Sequence, residues 1–107
     1  MRYYKHLYVS ESLIKKKDKI IRKLEKNKLQ LNVYLVTLPE TQCNQLEIIG
    51  SEILFQPSYP KKDLFVVGIF AGYDEAIELV ETLAQKTYAA SEGLDIRNYI
   101  LKKEQED

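Results

Sequence analysis

The run LFVVGIFAG at positions 64–72 is apolar everywhere except at its two glycines. A strand with that pattern has no wet side, so it belongs in the interior of a sheet covered on both faces. It is also too short to cross a bilayer, and no membrane partner is expected. A second stretch, VYLVTL at 33–38, is β-branched or aromatic at most places and apolar toward both sides: Val33 and Leu35 against Tyr34, Val36 and Leu38. In the 64–72 strand, simple alternation sets Leu64, Val66 and Phe70 against Phe65, Val67 and Ile69.

The remaining pattern supplies partners for these two strands. YYKHLYV at 3–9 alternates with period two, placing Tyr4, His6 and Tyr8 on one face and Tyr3, Lys5, Leu7 and Val9 on the other. LEIIGSEILFQ at 46–56 is a further β-rich stretch, in which Gly50 and Ser51 suggest a bulge or a sharp bend. Between the first two strands, Leu13, Ile14, Lys17, Ile20, Ile21 and Leu24 follow a helical repeat over 11–28, with Ser10 or Ser12 as cap. After Gly72, Ala76, Ile77, Val80, Leu83, Ala84, Thr87 and Tyr88 form the stripe of a second helix, which Gly93 stops. Asp95 can cap a short last helix through Ile96, Tyr99 and Ile100, and residues 102–107 read as a frayed tail. The expected fold is therefore one α+β domain over 1–107, a two-layer β-α-β-β-β-α arrangement. It has a mixed sheet of about four strands, two main helices and a short C-terminal helix.

Such a sheet has more apolar face than two helices readily cover. The terminal helix, a second copy of the chain or a ligand could close it. Two-fold self-association is the commonest solution, so a homodimer through the sheet is expected, with Tyr4, His6, Tyr8, Tyr34 and Val36 as interface candidates.

Charge is the second informative feature. Lys+Arg and Asp+Glu both number 16, but residues 1–30 hold ten basic and three acidic residues, leaving six and thirteen for the rest. The chain is a basic third (+7) joined to an acidic two-thirds (−7). Lys15, Lys16, Lys19, Arg22, Lys23 and Lys26 are the candidate contacts for an anionic partner: an acidic protein, or nucleic acid phosphates with Tyr4 and Tyr8 stacking on bases. The overall charge balance disfavours the nucleic acid, because a basic binding domain is expected to carry a pI above about 9.

Motifs for chemistry are weak. His6 is the sole imidazole and Cys43 the sole thiol, so a disulfide within the chain is impossible and no His/Cys metal pattern exists. Cys43 sits in ETQCNQ, where the nearest charge, Glu40, disfavours a thiolate. Gly68 and Gly72 flank a strand-to-helix junction, yet neither a P-loop nor a dinucleotide fingerprint is present, and Asp74 and Glu75 would repel a phosphate there. Gly68 reads instead as the place where a helix approaches the sheet. Asp74, Glu75, Glu78 and Glu81 have the spacing of a solvated helix face rather than of a desolvated acid/base pair. No catalytic residue, cofactor or metal is expected. The opening MRYYKHLYVSESLIKKK lacks the unbroken apolar segment of a secretory leader, which with the single cysteine points to the cytoplasm. The expectation is a non-enzymatic interaction or regulatory module, with nucleic-acid binding through helix 11–28 and the sheet tyrosines as the alternative.

Overall fold

The computed structural model describes residues 1–38, 46–59, 64–90 and 95–106. Phe65–Phe70 forms a strand, β4, that is buried at all six positions. The other strands are β1 (Arg2–Val9), β2 (Tyr34–Leu38) and β3 (Glu47–Gly50), and the sheet order is β1-β4-β2-β3. β4 runs parallel to β1 and antiparallel to β2, and β2 is antiparallel to β3. The two strands that are apolar on both sides therefore occupy the two interior positions, where both faces are covered.

Among the described residues three α-helices accompany the sheet: α1 (Lys17–Glu25), α2 (Tyr73–Ala89) and α3 (Ile96–Gln105). The α+β class, the mixed four-stranded sheet and the two main helices with a shorter C-terminal one are as the sequence predicts. The helices divide between the faces, so the sheet lies between two helical layers where a two-layer arrangement was expected, because β2 and β4 are apolar on both sides and both sides need cover. Ile20 and Leu24 of α1 pack with Leu35, Val66 and Ile69 on one side. Ala76, Leu79 and Leu83 of α2 and Ile96 and Ile100 of α3 pack with Tyr4, Val36, Phe65 and Val67 on the other.

A bulge decides which β4 side chain goes where. Val36 pairs with Gly68 and Thr37 with Val66, so Val67 is the extra residue. The alternation resets there: Phe70 joins Phe65 and Val67 beneath α2, while Ile69 joins Val66 beneath α1. This exchanges Phe70 and Ile69 relative to simple alternation. Gly68 makes the bulge packable, because a Cβ there would stand 2.5 Å from Phe70 Cε2 and 3.2 Å from Leu79 Cδ2. The expected close approach of a helix at Gly68 is thus present, through Leu79.

Several boundaries differ from expectation for local reasons. The helix expected over 11–28 begins as a 3-10 helix, Glu11–Lys16, and α1 stops at Glu25. Its end is a Schellman motif: Asn27 takes a positive φ of 56°, Lys28 N–H donates to the Lys23 carbonyl and Asn27 N–H to that of Leu24. Ser10 does not cap it. Its hydroxyl donates to the Glu75 carboxylate and accepts the Ala71 N–H, joining the ends of β1 and β4 to α2. The stretch after Gly50 becomes a 3-10 helix, Ser51–Phe55, which drops Leu54 into the core beneath α1. In α2 the buried line is Ala76, Leu79, Leu83 and Thr87, and Tyr88 is exposed. Residues 102–105, expected to fray, continue α3, and Glu104 accepts the Lys5 N–H at 2.7 Å. Asp95 does cap α3, accepting the Asn98 N–H at 3.0 Å.

Candidate functional site

α1 presents its polar side outward, and the lysines fall on it at helical spacing. Lys19 and Lys23 lie one turn apart on α1, and Lys16, which closes the 3-10 helix before it, and Lys26, just past its last residue, extend the row at its two ends into one stripe. Lys15, Lys16, Lys19, Arg22 and Lys26 are exposed and Lys23 is half-buried. Among the described residues, none of these lysines forms an ion pair. The positive field of the stripe is therefore left for solvent or a partner. Glu25, at the end of α1, accepts the Tyr3 hydroxyl at 2.9 Å. Burial, then that hydrogen bond and the carboxylate charge, push the Tyr3 phenol well above its ordinary range. Tyr3 stays protonated and ties α1 to β1.

Beside the stripe runs an open groove of about 490 Å³, lined by Leu13, Lys16, Lys19, Ile20, Lys23, Leu29, Gln30, Leu31 and Val33. A smaller depression of about 230 Å³ continues from Lys19 and Lys23 to Arg22, Lys26 and Lys28. The wall opposite α1 is the segment between Asn27 and Asn32, both held at positive φ. Its polarity is inverted. Gln30 is turned inward at 9% exposure, whereas its neighbours Leu29 and Leu31 stand outward at 59% and 76%. Gln30 is pinned there: its Nε2 donates to the Ile20 carbonyl at 3.2 Å, and its own carbonyl accepts the Ser51 hydroxyl at 2.8 Å. A fixed backbone thus displays two leucines along a lysine-rimmed groove. Such contiguous apolar surface with a polar border is characteristic of contact sites.

The interface candidates on the sheet fare differently. Val36 is fully buried and Tyr4 is 4% exposed, both beneath α2 and α3. These two are corrected: the face they define is closed by the chain's own helices, the terminal helix included, and is not open to a second copy. Burial foremost, with Tyr8, Tyr99, Glu104 and Glu106 nearby, pushes the Tyr4 phenol up to about 12. Tyr8 is half-buried against the same core and lies under Lys86, 5.7 Å from its ring centroid. His6 is exposed and meets the Tyr4 ring edge-on at 5.4 Å. Tyr34 is half-buried and packs edge-to-face on Tyr73 at 6.0 Å.

The tyrosines and the lysines therefore do not form one site. Tyr4 and Tyr8 belong to the face under α2 and α3, whereas the lysine stripe rides on the helix that covers the opposite face. The composite of stacking rings and phosphate contacts expected for nucleic acid is not assembled. Cys43 lies outside the described residues. Asp74, Glu75, Glu78 and Glu81 are exposed on α2, as a solvated face requires. Among the described residues no group of three or more His, Cys, Asp or Glu side chains is placed to hold a metal ion, and no helix is long and apolar enough to cross a membrane.

Sequence reasoning found the lysines and missed Leu29, Gln30 and Leu31. The available signal was a pair of leucines between two asparagines, the residue type that most readily takes a positive φ after glycine. No family model, curated protein or solved structure matches this chain.

Proposed function

We propose that this protein is a non-enzymatic interaction module that docks an acidic, leucine-bearing segment of a partner protein in the groove between α1 and the Asn27–Asn32 segment. The observation that carries the reading is the inversion at Gln30, which holds Leu29 and Leu31 outward beside Lys16, Lys19 and Lys23. Fully burying a leucine contributes about 1.5–3 kcal/mol, whereas an exposed ion pair contributes about 0.2–1 kcal/mol. The leucines would supply most of the affinity. The lysines would supply the preference for acidic partners and the association rate.

Fluorescence anisotropy with a helical peptide carrying Glu and Leu at three- and four-residue spacing tests this. The Leu29→Ser/Leu31→Ser double variant should weaken binding at least tenfold, about 1.4 kcal/mol. Replacing Lys16, Lys19 and Lys23 by Ser should slow association and flatten its salt dependence. If only the lysine changes matter, and an oligonucleotide competes equally well, the surface is a general polyanion site and the nucleic-acid alternative takes over. Absence of saturable binding would remove the groove as a docking site.

A further inference from the structure

The groove's occupant need not come from another protein. We propose that the acidic outer face of α2 on a second copy of this chain fills it, so that molecules join head to tail. This rests on the docking role of the groove and names one partner for it.

Two complementary stripes carry the inference. On the basic side, Lys16, Lys19 and Lys23 follow one another at three and four residues, next to the exposed Leu29 and Leu31. On α2, Asp74, Glu78 and Glu81 follow at four and three, all exposed. The same line of α2 continues through Gln85 to Tyr88, which is 71% exposed. Each stripe thus joins charge to a displayed apolar group, with opposite signs. A tyrosine at the end of the acidic line offers a large apolar contact with a polar tip to the leucine wall.

Among the described residues neither stripe is ion-paired within the molecule. α1 and α2 cover opposite faces of the sheet, and among the described residues no ion pair joins them. Their opposite placement also fixes the symmetry. A two-fold axis that brought α1 onto the partner's α2 would have to bring α2 onto the partner's α1 in the same interface, which outward-facing helices on opposite sides cannot do. The contact is heterologous, and a heterologous contact grows into a ring or filament instead of stopping at two.

Sedimentation of the full chain over a concentration series tests the proposal. At an ionic strength of about 0.01 M, where charges act over about 30 Å, the weight-average mass should climb past twice the monomer value. At about 1 M, where the range is about 3 Å, it should return to monomer, because the α2 line carries no leucine and offers Tyr88 alone to the leucine wall, so this contact leans on charge more than a leucine-bearing segment would. Lys19→Gln/Lys23→Gln and Glu78→Gln/Glu81→Gln proteins should each be monomeric alone. Mixed in equal amounts they should form a dimer that does not grow, because one retains the basic face and the other the acidic face. That restoration also shows both variants to be folded. Wild-type protein that stays monomeric at low salt, growth that survives the Glu78/Glu81 change, or a mixture that fails to pair would overturn the head-to-tail contact. If the wild-type protein stays monomeric while the Glu/Leu peptide still binds, self-association is wrong and the docking role of the groove stands.

Discussion

The face of the sheet beneath α2 and α3 and the face beneath α1 bury similar aliphatic side chains but end in different borders. On the first, a 17-residue helix and a ten-residue helix close over Tyr4, Val36, Phe65 and Val67. The C-terminal turn of α3 then reaches the β1 backbone through Glu104. On the second, α1 is nine residues long and 3-10 turns supply the rest. Its border leaves Ile14, Leu29 and Leu31 exposed among lysines. The first face is closed over its sheet and displays Tyr73 and Tyr88 on the outside of α2, whereas the second leaves aliphatic side chains uncovered beside a groove. Apolar sequence alone does not mark an interface; apolar surface that the chain's own elements leave uncovered does.

Core and border should respond oppositely to truncation. Leu83→Ala, at a fully buried position under α2, should cost about 2–5 kcal/mol in a urea titration, through lost burial and the cavity left behind. Leu31→Ser, at 76% exposure, should stay within about 0.5 kcal/mol of wild type by the same measurement while losing peptide affinity. A large loss of stability at Leu31 would mean that the second face needs it for folding and that the comparison is misdrawn.

The bulge can be probed next. Gly68→Ala places a methyl 2.5 Å from the Phe70 ring, inside the better-sealed core, and should cost about 1–3 kcal/mol by chemical denaturation. Unchanged stability would show that the α2 side has slack. A further effect has the opposite sign and lies on the α1 side. The Thr37 hydroxyl is buried with no hydrogen-bond partner among the described residues, and Thr37→Val keeps the shape while removing the unpaired oxygen. It should raise stability by about 1 kcal/mol, read as an upward shift of the denaturation midpoint.

How much of this was legible in the sequence follows from the range of the interactions involved. β4 and β2 could be read because apolar residues at nearly every place say "interior strand" within a few positions. Which way each side chain points could not, since an all-apolar run carries no facing signal and the Val67 bulge depends on its pairing with β2. Likewise, the excess apolar sheet face was evident, but choosing its cover among the terminal helix, a second copy or a ligand required knowing how α3 folds back. At the candidate site, the lysines announced themselves by charge and helical spacing. Their grouping with Leu29 and Leu31 did not, because Gln30 is held by Ile20 and Ser51, which are 10 and 21 residues away. The C-terminus of α1 was misjudged for a nearer reason: Asn27 in the left-handed region ends the helix as a glycine would.

The border of the face under α1, and not the sheet face under α2 and α3, is where the acidic segment should bind. Amide chemical-shift mapping of the full chain with the Glu/Leu helical peptide tests it most directly. Shifts should concentrate at Leu13, Lys19, Lys23 and the segment from Leu29 to Val33, leaving β1 at Tyr4–Tyr8 and α3 unmoved. Shifts centred on Tyr4, His6, Tyr8 and α3, with the Leu29–Val33 segment silent, would contradict it.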